Sequence, residues 1–154
     1  MEITGKNGVG SRLEFFLKIF FYLGILILLG LPFALSEFGL KLNSSMYLIY
    51  PNGIVLLIIM RKFIKLFNSL KNNNPFCEDN VKTLKETALV TLIGSLFWSI
   101  DFIYELFLAK AEIVTVLVLL FLAILFYGVS IALYILAELF KQAVEYKKEN
   151  ELTI

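Results

Sequence analysis

Apolar residues fall into four long runs along this chain, separated by short polar connections. The first covers about Leu13–Leu35 and carries no charge after Lys18. The second covers about Met46–Phe67 with Pro51 near its start, and the third about Leu84–Leu108 with Asp101 and Glu105 inside it. The fourth, about Ile113–Ala137, holds no charge. A helix needs about 20 apolar residues to cross a hydrocarbon core of about 30 Å. The first and fourth runs meet that outright, the second and third with polar ends. In lipid every backbone polar group has to be satisfied internally, and four strands cannot close a barrel, so the pattern predicts helices. Ala34-Leu35-Ser36 after the basic flank of Arg12 and Lys18 has the outline of a cleavage site. The apolar run before it is longer than a usual signal-peptide core, so it is expected to stay as an anchor helix.

The connections set the expected topology. Ser36–Ser45 and Ala109–Glu112 are short, and short links make sequential helices antiparallel neighbours. The expected fold is all-α, a single membrane domain over 1–154 built as an up-down-up-down bundle of four transmembrane helices. A connection with a turn at 68–83 and a tail at 138–154 complete it. Lys6, Arg12 and Lys18 precede or open the first run, six basic residues from Arg61 to Lys85 lie between the second and third, and Lys141, Lys147 and Lys148 follow the fourth. Only Lys41 and Lys110 lie in the other two connections, so twelve of the fourteen basic residues share one side. The positive-inside rule makes that side, with both termini, cytoplasmic, and the cell membrane the expected location. Tyr47, Tyr50 and Tyr104 then fall near the outer interface, where amphipathic rings prefer to sit.

Within 61–72 the residues split by face. Arg61, Lys65, Asn68 and Asn72 lie on one side of a helix, and Phe63, Phe67 and Leu70 on the other. The second helix is therefore expected to project into the headgroup region as an amphipathic extension. Asn72-Asn73-Asn74-Pro75 stops it, because proline disfavours helix for its predecessor and asparagine suits turns. A new helix is expected just after Phe76, with Glu78 and Asp79 at its positive end.

Composition narrows the chemistry. The chain is 59% hydrophobic and 18% charged with a net charge of +1, so lipid is its expected environment and direct nucleic-acid binding is not. It has no histidine, and Cys77 is its only cysteine. Neither a disulfide nor a thiolate metal cluster can form within one chain, and the commonest general base is missing. No cofactor is expected, and no enzyme, because no nucleophile with a partnering base is visible.

Ionisable groups at membrane depth are the place to look for function. On the third helix Thr83, Thr87, Thr91, Gly94, Trp98, Asp101 and Glu105 fall on one stripe; on the fourth, Tyr127, Ser130, Tyr134 and Glu138 share a face. Facing each other, the stripes would make a polar seam. Small and hydroxyl residues are also the ordinary contact surface between membrane helices. Glu138 could then pair with Lys141 or another basic residue. The sharper alternative is a water-lined pocket opening outward, in which Asp101 and Glu105 bind a cationic ligand or share a proton; Trp98, Tyr134 and Glu138 are the further candidate ligand- or proton-binding residues on the two stripes. Glu14, between Arg12 and Lys18, is expected to be a solvated interfacial carboxylate. Asn43-Ser44-Ser45 is a formal glycosylation sequon, without meaning in a bacterial protein.

Two stretches carry a family resemblance. Asn74-Pro75-Phe76-Cys77-Glu78-Asp79-Asn80-Val81 resembles the signature of a bacterial family of small four-helix membrane proteins, domain of unknown function 2975. There an Asn/Gly-Pro-Phe turn is followed by Ser or Thr, an acidic residue and an Asn-Val pair. The ending Glu138–Ala143 with Glu149–Ile154 resembles the family's usual finish. Cysteine stands where the family has Ser or Thr, and it is a weaker helix cap; Asn74 or Asn80 could cap instead, with Phe76 packing back as a staple. The family has no settled activity. Its members are often encoded beside a very small helix-turn-helix protein, which implies a regulatory or sensory membrane component that holds such a regulator. Arg61, Lys65, Pro75, Phe76, Asn80, Leu152 and Ile154 are the expected docking residues. The alternative is a small exporter or immunity protein using Asp101 and Glu105. Self-association is left open.

Overall fold

A computed structural model describes residues 8–37, 49–72, 74–109 and 111–152. Four helices account for nearly all of them, and no strand occurs among the described residues. They are α1 (Val9–Glu37), α2 (Ile49–Lys71), α3 (Glu78–Tyr104) and α4 (Ile113–Leu152), with a π-helical turn, Glu105–Ala109, continuing α3. The sequon at Asn43, Tyr47, Lys6, Lys41, Asn73 and Lys110 lie outside the described residues.

Local chemistry explains the ends. Pro51 stands in the first turn of α2, where its missing N–H is one the helix leaves unpaired anyway. Asn74 and Pro75 lie between α2 and α3. α3 begins at Glu78 with Glu78 and Asp79 in its first turn, as the sequence predicts. Ala34-Leu35-Ser36 lie inside α1, which runs unbroken to Glu37.

The substantial contacts run in chain order: α1 on α2, α2 on α3, and α3 most extensively on α4. The helices thus stand in a row, each packed chiefly on its neighbours in sequence. Leu66, Leu84, Ala88, Leu133 and Ala137 form a core shared by α2, α3 and α4, with Phe63 and Phe140 packed against it. Small residues bring the backbones together. A Cβ added to Gly94 would lie 2.8 Å from Val55 Cγ1 and 3.2 Å from Phe126 Cδ1, so three helices meet at that glycine. Large apolar residues are exposed instead of buried along the outer faces, among them Phe15, Phe20, Leu26, Leu29 and Phe33 of α1 and Phe121, Ile124 and Ile135 of α4. An exposed apolar surface on that scale calls for an apolar solvent or partner.

Among the described residues, three helical segments are long and apolar enough to cross a membrane: Val9–Ala34, Glu78–Ala109 and Ile113–Asn150. α2 is not among them, against expectation, because Arg61, Lys62 and Lys65 crowd its second half. The tail expected over 138–154 is not a separate piece: as far as Leu152 it continues α4, a single helix of 40 residues. At 1.5 Å per residue α4 is about 60 Å long, about twice the hydrocarbon thickness.

Candidate functional site

Polar side chains collect at the two ends of the helix row, and a lined-up set of hydroxyls joins them. Along α3, Thr83, Thr87 and Thr91 are buried, and each hydroxyl donates to the backbone carbonyl four residues earlier, at 2.6–2.8 Å. Ser99 does the same to Ser95. These groups are satisfied within their own helix, as hydroxyls in packed helices often are. Between α3 and α4, the Ser130 hydroxyl crosses from α4 to donate to the Ala88 carbonyl at 2.7 Å. Tyr127 and Tyr134 are more than half exposed. A shared face on a helix fixes which residues look the same way, not what they look at.

At the end near the π-helical turn, Asp101 and Glu105 are both buried, at 6% and 8% exposure. Asn52 of α2, 7% exposed, donates from Nδ2 to Asp101 Oδ2 at 3.0 Å. Its own Oδ1 is buried without a hydrogen-bond partner. Trp98, one turn before Asp101 on the expected stripe, sets its ring 6.2 Å from Phe126 of α4. Asn52 was not among the sequence candidates. Its signal was a lone amide inside an apolar run, just after Pro51.

The opposite end holds the α2–α3 turn and the far half of α4. Asn80 is buried and folds its amide back over the turn, donating to Pro75 O at 2.7 Å and Ser69 Oγ at 2.8 Å. Ser69 in turn donates to Asn74 O at 2.5 Å. Asn80 therefore pins the turn rather than capping the helix, and Cys77 makes no side-chain cap bond. Phe76 stacks toward Phe140 of α4, ring centres 5.3 Å apart.

Ion pairs tie this end together. Lys62 pairs with Glu86, and Lys65 with Asp79 at 3.7 Å, joining α2 to α3. Lys85 meets Glu138 at 2.6 Å and lies 5.9 Å from the Tyr134 ring centre. Lys148 pairs with Glu78, so the far half of α4 is held against the start of α3. Glu14 departs from expectation. It is 4% exposed and accepts from Lys18 at 2.6 Å and from Lys71 of α2 at 3.3 Å, because α1 lays it against the end of α2.

Two clefts open here. One of about 620 Å³ lies between α1 and α2, lined by Glu14, Lys18, Arg61, Lys62 and Lys65 among others. Another, of about 580 Å³, lies between α3 and α4, lined by Glu78, Lys82, Glu86, Lys141 and Lys148 among others. A smaller apolar cavity of about 150 Å³ sits between α2, α3 and α4 under Phe63, Phe67, Asn80, Leu136 and Phe140. Of the expected docking residues, Arg61, Lys65, Pro75, Phe76 and Asn80 gather at this end. Ile154 and the side chain of Leu152 lie outside the described residues. Among the described residues no group of three or more carboxylates, cysteines or histidines could hold a metal.

A family model described as protein of unknown function (DUF2975) matches residues 17–154. Nothing matches among curated proteins or solved structures.

Proposed function

From the premise that the chain belongs to the DUF2975 family, we propose a small membrane protein that regulates or senses through protein contacts. The far half of α4, braced on the α2–α3 turn, is its docking platform. α1, α3 and α4 cross the cell membrane, and α2 crosses with them, since it lies in contact with both α1 and α3. The pairs Glu14–Lys71, Asn52–Asp101 and Lys148–Glu78 each join the start of one helix to the end of its neighbour. That register supports an up-down-up-down order. With twelve of fourteen basic residues on the side of the turn, that side and both termini are cytoplasmic.

The observation that carries this proposal is the length of α4. Its 40 residues exceed what the bilayer needs about twofold. The surplus is not left loose; Phe140, Glu138 and Lys148 fasten it to Phe76, Lys85 and Glu78. A rigid charged projection beside an apolar cavity suits a protein partner, in which a few apolar anchors fill a pocket inside a polar rim. A small helix-turn-helix regulator is the partner proposed. The experiment is co-expression of the chain with a small helix-turn-helix protein of the kind the family resemblance implies, followed by purification in detergent. Wild type should retain the regulator. Phe140→Glu, which puts a charge at the mouth of the apolar cavity, should release it without loss of the membrane protein. Equal retention by both would sink the proposal.

A further inference from the structure

The cleft between α1 and α2 gathers more positive charge than its own carboxylate can balance. Of the eight residues that line it, Lys18, Arg61, Lys62 and Lys65 are basic and Glu14 alone is acidic. Three of the four cations have a partner: Lys18 holds Glu14, Lys62 reaches Glu86, and Lys65 lies 3.7 Å from Asp79. Glu14 is shared further with Lys71. Among the described residues no carboxylate pairs with Arg61. A guanidinium keeps its charge, and its planar fork matches the oxygens of a phosphate.

Below the cations the cleft turns apolar. Ile58 is part of its lining, and Ile58 and Ile54 are 40% and 53% exposed. Ile54, Ile58, Arg61 and Lys65 share one face of α2 at 100° per residue. Ile54 lies seven residues before Arg61, about 10 Å further from the α2–α3 turn. The face is thus charged toward the turn and apolar away from it, the order of a phospholipid with its phosphate above its chains. A soluble phosphate makes no use of the apolar end. An acidic protein segment would have to enter the hydrocarbon to reach it. The same basic residues crowd the second half of α2, and charge at the edge of the membrane is tolerated best when paired.

We propose that the α1–α2 cleft binds an anionic phospholipid, with its phosphate on Arg61, Lys18 and Lys65 and an acyl chain along Ile58 and Ile54. Lys18 and Lys65 have side chains 48% and 56% exposed. Each ammonium has three N–H donors, so one carboxylate leaves room for a phosphate oxygen. Basic pockets between membrane helices on the cytoplasmic side bind such headgroups. Only the leaflet rests on the orientation proposed above; the binding itself needs neither that orientation nor a protein partner.

The test is native mass spectrometry of full-length protein, stripped of lipid in detergent and offered phosphatidylglycerol and phosphatidylcholine at equal concentration. Wild type should retain phosphatidylglycerol in preference. A basic residue near a membrane surface contributes about fivefold in binding, so Arg61→Gln should lower phosphatidylglycerol retention about fivefold and leave phosphatidylcholine unchanged. Lys65→Gln alone should act in the same direction, and the two together should lower retention about 25-fold. Arg12→Gln removes a like charge from the opposite face of α1, two positions before Glu14, and should change nothing. Glycerol 3-phosphate, which has the phosphate without the chains, should not displace the lipid. Arg61 is exposed, so its variant should keep the wild-type thermal midpoint measured without lipid. Equal retention of the two lipids overturns the proposal and leaves the cleft to an acidic protein segment. Displacement by glycerol 3-phosphate overturns it in favour of a soluble ligand. Undiminished retention in folded Arg61→Gln, or an equal loss in Arg12→Gln, overturns it as well.

Discussion

Glu14 of α1 accepts a hydrogen bond from Lys71 of α2 at 3.3 Å, across 57 positions of sequence, and is buried in doing so. Because α2 is the helix on which α1 packs, this contact fastens the start of α1 to the rest of the row. Glu14→Leu removes the acceptor and leaves Lys71 facing apolar surface. Trypsin should then cut faster at Arg12 and Lys18 in detergent, while sites in α4 keep their rate. Lys18→Gln should change the cutting elsewhere little, since Lys18 is half exposed and one turn away on the same helix. Unchanged cutting in Glu14→Leu would show that apolar packing alone seats α1.

Gly94 and Gly128 make a contrast within one helix pair. A methyl group at Gly94 would press on Val55 and Phe126, and overpacking of that kind costs about 1–3 kcal/mol. A methyl group at Gly128 meets nothing within 4 Å, and alanine favours helix over glycine by up to about 1 kcal/mol. Gly94→Ala should therefore lower the thermal midpoint in detergent and Gly128→Ala should hold or raise it.

How much of this was legible in the sequence depends on whether the deciding neighbour was local. The start of α3 after Asn74-Pro75, its acidic first turn and the apolar runs are local facts, and the structure repeats them. Glu14 was misjudged because its sequence neighbours, Arg12 and Lys18, suggest a solvated cluster. Its burial comes from α2, which the local pattern does not show. Asn52 was missed for the same reason, its acceptor lying 49 residues away. Tyr134 shares a helical face with Ser130, yet the row leaves it half exposed. Periodicity orders residues around one helix; only packing says which arc meets the neighbour.

Ser130 and Ala88 test how far the α3–α4 contact rests on polar bonding. Their hydrogen bond spans two packed helices at 2.7 Å. Interhelical hydrogen bonds of this kind average about 0.6 kcal/mol in membranes, so Ser130→Ala should cost little. Ala88→Leu should cost more, because Ala88 is 3% exposed and has no room for added volume. Unfolding in mixed detergent, followed by helix signal, would rank the two. The reverse order would make the hydroxyl, not the close approach, the main tie.

The far half of α4 is held by two kinds of contact that respond differently to salt. Lys148 and Glu78 are a largely exposed pair, with side chains 58% and 76% accessible, and salt at about 1 M shortens the range of such attraction to about 3 Å. Phe76 and Phe140 touch through their rings at 5.3 Å, a contact worth about 0.5–1.5 kcal/mol beyond area burial and indifferent to screening. Raising salt should therefore speed amide hydrogen exchange near Lys148 while leaving exchange around Phe140 and Val144 slow. Phe140→Ala should instead loosen the whole projection from Glu138 outward, at any salt. Exchange that rises evenly along 138–150 with salt would mean that ion pairs alone hold the projection. The apolar cavity beneath Phe140 would then be no fixed anchor for a partner.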